Sequence, residues 1–227
     1  MVGLIVLVFG VVFRTIAEHR RIAVMRLGIL GGSFDPVHYG HLLLAESARD
    51  QCQLDQVWLL PAAVPPHKQD RQLTSAEHRI AMLELAIAGE PAFSVCRFEV
   101  DRGGINYTYA TLERIKSEYP DWQLFFVLGA DMLHDLPHWR EPSRICQLAI
   151  LVVVARPGAG EPDFSLLSGI ATPERIDLMR RHRVVMPQVG ISSSDLRCRI
   201  AQGRSIRFQT PRAVEEYIRT HGLYQQS

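Results

Sequence analysis

The sequence lacks the features that mark several specialised classes of protein. Its four cysteines, Cys52, Cys96, Cys146 and Cys198, form no Cys-x-x-Cys pair, which argues against a disulfide framework or a zinc site. The formal net charge is only +1, so no basic excess indicates a nucleic-acid partner. Repeats and low-complexity segments are absent as well. Unpaired thiols suit a reducing compartment, and we expect a cytoplasmic protein.

The apolar run at the N terminus, Met1–Phe13, is shorter than the roughly 20 residues that a membrane-spanning helix needs. It also lacks the basic region and the small-residue cleavage site of a signal peptide. Met25 precedes the first strand-like segment. We therefore expect a dispensable apolar extension, residues 1–24, that reflects a start codon placed too early, and a folded domain, residues 25–227. Stable membrane association is not expected, and a weak anchor is the alternative.

With 47% hydrophobic and 22% charged residues, the chain can bury a proper core, and its apolar runs alternate with helical patterns. Thr74 is expected to cap a helix with Glu77 three residues later, and Thr210 to cap a helix that begins at Pro211. Buried strands are predicted at Leu27–Leu30, Val57–Leu60, Leu124–Leu128 and Leu148–Ala155, with one or two more within Phe93–Val100. The alternation predicts a single α/β domain, a Rossmann-like, doubly wound parallel sheet flanked by helices.

Paired glycines and paired histidines lie in the segment that connects the first predicted strand to the following helix. Gly31 and Gly32 are expected at a sharp turn, where backbone N–H groups can approach a ligand. A helix start near His41 favours an anion, and His38 and His41 add two donors, or two positive charges when protonated. The stretch predicts a phosphate site. It has no P-loop lysine, no G-x-G-x-x-G spacing and no third ligand for a metal.

A second anion site is predicted near the C terminus, in the segment ISSSDLR (Ile191–Arg197). Its serine hydroxyls and backbone amides open a helix, where N–H groups lack partners within the helix. Arg197 follows one turn later with a planar fork of donors that matches phosphate oxygens. The two segments together indicate a protein that holds a polyphosphate.

These motifs resemble those of a known family. Gly31–His41 resembles the nucleotidyltransferase signature G-x-[ST]-F-D-P-x-H-x-G-H, and Ile191–Arg197 resembles its I-S-S-[ST]-x-[IL]-R box. The segments between them that resemble bacterial nicotinate-nucleotide adenylyltransferases, in the family's order, are Pro65–Lys68, Tyr107–Thr108, Gly129–Leu133, Leu136–Trp139 and Ala155–Gly158. The resemblance runs from Met25 to the C terminus. Ala110 departs from it by replacing a usually acidic residue, and we expect a weaker contact at that helix start.

The resemblance implies an enzyme that joins the AMP part of ATP to nicotinate mononucleotide, giving deamido-NAD and pyrophosphate in NAD biosynthesis. The mononucleotide phosphate attacks the α-phosphorus of ATP in line, without a protein nucleophile. Mg²⁺ is expected to arrive with ATP. The open alternatives are nicotinamide mononucleotide or phosphopantetheine as acceptor, a nucleotide-binding regulator without turnover, and a membrane-tethered scaffold. The oligomeric state is open, a homo-oligomer included.

The resemblance also implies roles for individual residues. Those expected to act in catalysis are His38, His41, Lys68 and Arg197. Those expected to bind ATP are Gly31, Gly32, Ser33, Phe34, His41, Gly129, Asp131, Ile191, Ser193, Ser194 and Arg197. Those expected to bind nicotinate mononucleotide are Ser33, Lys68, Thr108, Trp139 and Arg156. Among them, Asp131 is expected to accept from ribose hydroxyls and Trp139 to stack on the pyridine ring.

Overall fold

A parallel β-sheet forms the centre of the described structure, a computed structural model that describes residues 24–63, 73–155 and 161–225. Within these residues the strands are β1 (Arg26–Gly32), β2 (Gln56–Pro61), β3 (Phe93–Val95), β4 (Gln123–Gly129), β5 (Ala149–Ala155) and β6 (Val184–Val185). They lie in the order β3-β2-β1-β4-β5-β6, and all neighbours are parallel. The order reverses direction between β1 and β4, which is the switch point of a doubly wound sheet.

Helices connect the strands and cover the sheet. They are α1 (Tyr39–Gln51), α2 (Ala76–Ala86), α3 (Phe98–Arg102), α4 (Thr108–Glu118), α5 (Ala130–Asp135), α6 (Pro142–Leu148), α7 (Pro173–Arg181), α8 (Ser193–Ala201) and α9 (Arg212–Thr220). Short 3-10 turns lie at Leu136–His138 and Phe164–Leu167. All seven residues of β5 are buried, because a central parallel strand is covered on both faces. The predicted Rossmann-like α/β fold is confirmed.

Of the one or two strands expected within Phe93–Val100, the structure has one, β3, and α3 begins at Phe98. Two local expectations were wrong. Ser75, not Thr74, caps α2 by accepting from the His78 N–H at 3.3 Å. Thr210 does not cap α9, since its hydroxyl donates to the Val37 carbonyl at 2.8 Å and thereby ties the start of α9 to the loop after β1.

Several expectations fall outside the described residues. They concern the extension 1–24, of which residues 1–23 are not described, and the site residues Lys68 and Arg156. Within the described ranges, no helix is both long and apolar enough to cross a membrane. The boundary at residue 25 stays a prediction, although β1 begins one residue later, at Arg26.

Candidate active site

A cavity of about 660 Å³ lies at the carboxyl ends of β1, β2 and β4. This is the edge of an open α/β sheet where ligands bind, next to the switch point between β1 and β4. The cavity brings together seven residues that the sequence predicted, namely Gly31, Gly32, Ser33, His41, Thr108, Gly129 and Trp139. They come from three separate parts of the chain, and only the fold brings them close together.

The start of α1 borders this cavity and contributes His41 to its lining. His38 is the N-cap residue, and its Nδ1 accepts from the Gly40 N–H at 3.1 Å. His41, in the first turn, returns the contact, because its Nδ1 accepts from the His38 N–H at 3.3 Å. A Cβ on residue 40 would lie 2.9 Å from the His38 ring, so glycine is needed for the ring to reach this position. The helix therefore begins at Tyr39, two residues before the predicted start near His41.

This reciprocal cap determines which ring nitrogen carries the proton in each imidazole. An Nδ1 that accepts from an N–H carries no proton, so each neutral ring bears its proton on Nε2. The two rings stack with centroids 3.8 Å apart. Adding a proton at Nδ1 would break the cap. The geometry thus favours two neutral Nε2–H donors over the two positive charges that the sequence also allowed.

The turn after β1 lies two residues beyond the paired glycines. Gly31 and Gly32 are the last two residues of the extended strand, and the turn falls at Phe34, whose φ is +48°. The Phe34 side chain is fully buried and meets the His41 ring edge-on, at a centroid distance of 5.0 Å. This packing holds the His41 ring against the loop.

The second predicted motif lies directly against the first. The Ser193 hydroxyl donates to the Pro36 carbonyl at 2.9 Å, and the Arg197 guanidinium donates to the Asp35 carbonyl. Arg197 also donates to the Ser194 hydroxyl at 2.9 Å. At this junction of α1 and α8, the start of α8 lies against the loop that leads into α1, and each helix has the positive end of its dipole here.

Two residues that the sequence analysis did not single out, Arg79 and Tyr224, hold the loop after β1 through hydrogen bonds. Arg79, 1% exposed, donates to the Ser33 carbonyl at 2.9 Å and to the Ala62 carbonyl at 2.8 Å. Tyr224 donates to the buried Asp35 carboxylate at 2.7 Å. Neither residue stands in a recognisable motif, so only the folded chain reveals these contacts.

The opposite side of the cavity combines aromatic, polar and charged side chains. Thr108 begins α4, and Trp139 packs edge-on against Phe126 with ring centroids 6.1 Å apart. Further lining residues that the sequence did not single out include Glu99, Asn106, Tyr107, His138 and Arg140. Burial raises the pKa of the Glu99 carboxyl above its ordinary value, and a hydrogen bond from the Thr111 hydroxyl opposes this.

Other predicted residues lie near this cavity without lining it. Asp131 is exposed in the first turn of α5, two residues after Gly129. The lining also leaves out Phe34, His38, Ile191, Ser193, Ser194 and Arg197, which lie at or near the junction of α1 and α8. At Ala110, α4 carries no acidic residue in its first turn, and its N-cap residue Tyr107 makes no side-chain cap bond.

Comparisons with known proteins agree on one family. Residues 29–199 match the model of the family described as cytidylyltransferase-like. A relative from Thermomicrobium roseum, named nicotinate-nucleotide adenylyltransferase, is 46% identical over 88% of this chain and 91% of its own length. A relative of the same name from Roseiflexus sp. is 48% identical over 87% of this chain and 97% of its own length.

Solved structures show the same fold at lower identity. Plasmodium falciparum nicotinic acid mononucleotide adenylyltransferase complexed with APC superposes with a TM-score of 0.69 at 21% identity. Its complex with NaAD gives a TM-score of 0.70 at 22% identity. Each superposition covers 88% of this chain and 97% of the other.

Proposed function

The chain belongs to the cytidylyltransferase-like family and, within it, to the nicotinate-nucleotide adenylyltransferases, and from this membership we propose its reaction. The protein transfers the adenylyl group of ATP to nicotinate mononucleotide and so makes deamido-NAD and pyrophosphate. The mononucleotide phosphate attacks the α-phosphorus, the bond to the β-phosphate breaks, and pyrophosphate leaves. We also propose that this occurs in the cytoplasm, as the unpaired cysteines led us to expect.

One observation carries this proposal: α8 is bonded to the loop that leads into α1, so two helix starts whose dipoles favour an anion lie beside a cavity lined by Trp139. Adenylyl transfer needs two anionic reactants held close together and donors where negative charge develops. It needs no nucleophilic side chain. Consistent with this, burial raises the pKa of Cys52, Cys96 and Cys146 to about 11, so these thiols are poor nucleophiles.

Each part of the site has a proposed role. The Nε2–H of His41 donates to the transferring phosphate, and the backbone of Ser33 and Phe34 contacts the reacting phosphates. Ser193, Ser194 and Arg197 contact the β- and γ-phosphates of ATP. Gly129 and Asp131 hold the adenosine ribose. Thr108 and Trp139 hold the pyridine ring, with Lys68 and Arg156 assigned to the acceptor by the resemblance alone.

Mg²⁺ is proposed to enter with ATP. In the parts of the chain that the structure describes, no group of three or more His, Cys, Asp or Glu residues is placed to hold a metal ion. The polar residues at the α1 and α8 junction are mostly donors, which suit phosphate oxygens. Mg²⁺ fits such a site when ATP oxygens and water supply its ligands, and it would neutralise charge on the leaving pyrophosphate.

The proposal is tested by pyrophosphate release from purified protein, ATP and Mg²⁺ with three acceptors. We expect turnover with nicotinate mononucleotide, at least about tenfold less kcat/KM with nicotinamide mononucleotide, and none with phosphopantetheine. Backbone N–H groups near Thr108 and Trp139 pair with both oxygens of a carboxylate, whereas an amide turns an NH₂ group toward one of them. Chelation of Mg²⁺ by EDTA should abolish the release, and excess Mg²⁺ should restore it.

Other outcomes point to the alternative readings. Equal rates on the acid and the amide contradict the proposed acceptor preference and leave the transfer chemistry standing. Turnover with phosphopantetheine alone contradicts the proposed acceptor class. Tight ATP binding without turnover on any acceptor indicates a nucleotide-binding regulator instead.

A further inference from the structure

Arg140 gives the cavity a positive charge on its Trp139 side. Among the described residues that line the cavity, it is the only Lys or Arg, and Glu99 is the only Asp or Glu. Arg140 directly follows Trp139, which the proposed function places against the pyridine ring. The cation therefore stands beside the part of the acceptor where an acid and an amide differ.

The Arg140 side chain is held toward this region by Tyr107. Its guanidinium carbon lies 4.8 Å from the centroid of the Tyr107 ring, in a cation–π contact. Interaction with the Tyr107 side chain raises the pKa of the guanidinium above its ordinary value. Tyr107 immediately precedes Thr108, so this contact joins the two segments that frame the proposed ring site. A guanidinium has five N–H donors in its plane, and a contact through its face does not use them.

We propose that Arg140 determines acceptor specificity by donating to the ring carboxylate of the mononucleotide. The inference rests on the proposed function and deepens it, because it names a side chain that distinguishes nicotinate from nicotinamide. A carboxylate gains a charge-assisted, two-pronged contact with the guanidinium fork. A neutral amide gains neither the charge nor the second acceptor oxygen. The Arg140 charge thereby adds to the discrimination supplied by backbone N–H groups.

A contact with the mononucleotide phosphate is the main alternative, and it makes a different prediction. Both acceptors carry the same phosphate, so loss of a phosphate contact weakens both by the same factor. Loss of a carboxylate contact weakens only the acid. The ratio of the two acceptors, rather than either rate, therefore identifies the group that Arg140 touches.

The experiment compares Arg140→Met, which keeps an unbranched, flexible stem and removes the guanidinium, with Arg144→Met as matched control. Arg144 is exposed on α6, pairs with Glu113 at 2.6 Å and does not line the cavity. We expect Arg140→Met to lower kcat/KM for nicotinate mononucleotide about 10- to 100-fold. The value for nicotinamide mononucleotide should change less than about threefold, and Arg140→Lys should recover part of the loss. Arg144→Met should leave both values unchanged.

Calorimetric Kd values for the two mononucleotides on the same variants test the inference separately from turnover. A fall in the acid-to-amide affinity ratio in Arg140→Met supports it even when no pyrophosphate is released, an outcome that contradicts only the proposed reaction. Equal losses on both acceptors, or an unchanged ratio, overturn the role of Arg140. Failure of the wild-type protein to bind either mononucleotide overturns both the role and the proposed acceptor.

Discussion

At the level of single residues, the two histidines of the first motif, His38 and His41, are held in place by hydrogen bonds at the start of α1. Each Nδ1 accepts from a backbone N–H at the start of α1, which leaves the proton on Nε2 of each neutral ring. A histidine that caps a helix in this way is oriented in advance. Such preorganised donors stabilise developing charge without reorganising during the reaction.

We predict that His41→Ala lowers kcat by on the order of 100- to 1,000-fold, because it removes one donor to the transferring phosphate. Loss of the cap contact should lower the free energy of unfolding by only about 0.5–2 kcal/mol. Steady-state rates and thermal unfolding measure the two effects. His134→Ala, at an exposed position of α5, is the control and should retain full activity. A folded His41→Ala protein with more than about a tenth of the wild-type rate would refute the assigned role.

At the level of elements, the loop after β1 is held from three directions. The start of α8 bonds to its Asp35 and Pro36 carbonyls, Arg79 of α2 bonds to its Ser33 carbonyl, and Tyr224 bonds to the Asp35 carboxylate. A displacement of about 1 Å in a reacting group can cost roughly 100-fold in rate. These supports therefore bear on catalysis although Arg79, Arg197 and Tyr224 do not themselves line the cavity.

Tyr224→Phe tests this support, because it removes one hydroxyl and leaves the ring. The Asp35 carboxylate then loses a partner while buried, and we expect a loss of roughly 1–3 kcal/mol in the free energy of unfolding. We also expect kcat to fall about tenfold or more as the loop relaxes. Tyr217→Phe is a matched control, since its hydroxyl bonds to His78 at 2.9 Å between α2 and α9. Equal activity in the two variants would show that Tyr224 contributes to stability alone.

Sequence reasoning succeeded where the signal is local and failed where it is not. The apolar runs predicted β1, β2, β4 and β5, and the two motifs predicted the residues that meet at the junction of α1 and α8. Ser75 and Thr74 are adjacent and equally able to cap a helix, so only the folded backbone distinguishes them. Tyr224 and Asp35 are 189 residues apart, and no sequence pattern in either segment predicts their contact.

At the level of the whole molecule, the strand order brings the site together. Because β1 and β4 are neighbours at the switch point, the loop after β1 and the Gly129 turn after β4 border one cavity. The segment of Trp139 follows β4, and α8 follows β6, so the fold gathers segments from about 160 residues of chain. The dispensability of residues 1–24 remains a prediction.

In the proposed reaction, the protein holds two phosphates in line and forms no covalent intermediate with the adenylyl group. Adenosine 5′-O-(1-thiotriphosphate) of one configuration at the α-phosphorus, reacted with nicotinate mononucleotide, tests this most directly. Phosphorus NMR of the thio-substituted dinucleotide reports the configuration of the product. A single in-line attack predicts inversion at the α-phosphorus. Retention would require two successive displacements through an adenylylated residue and would contradict the account.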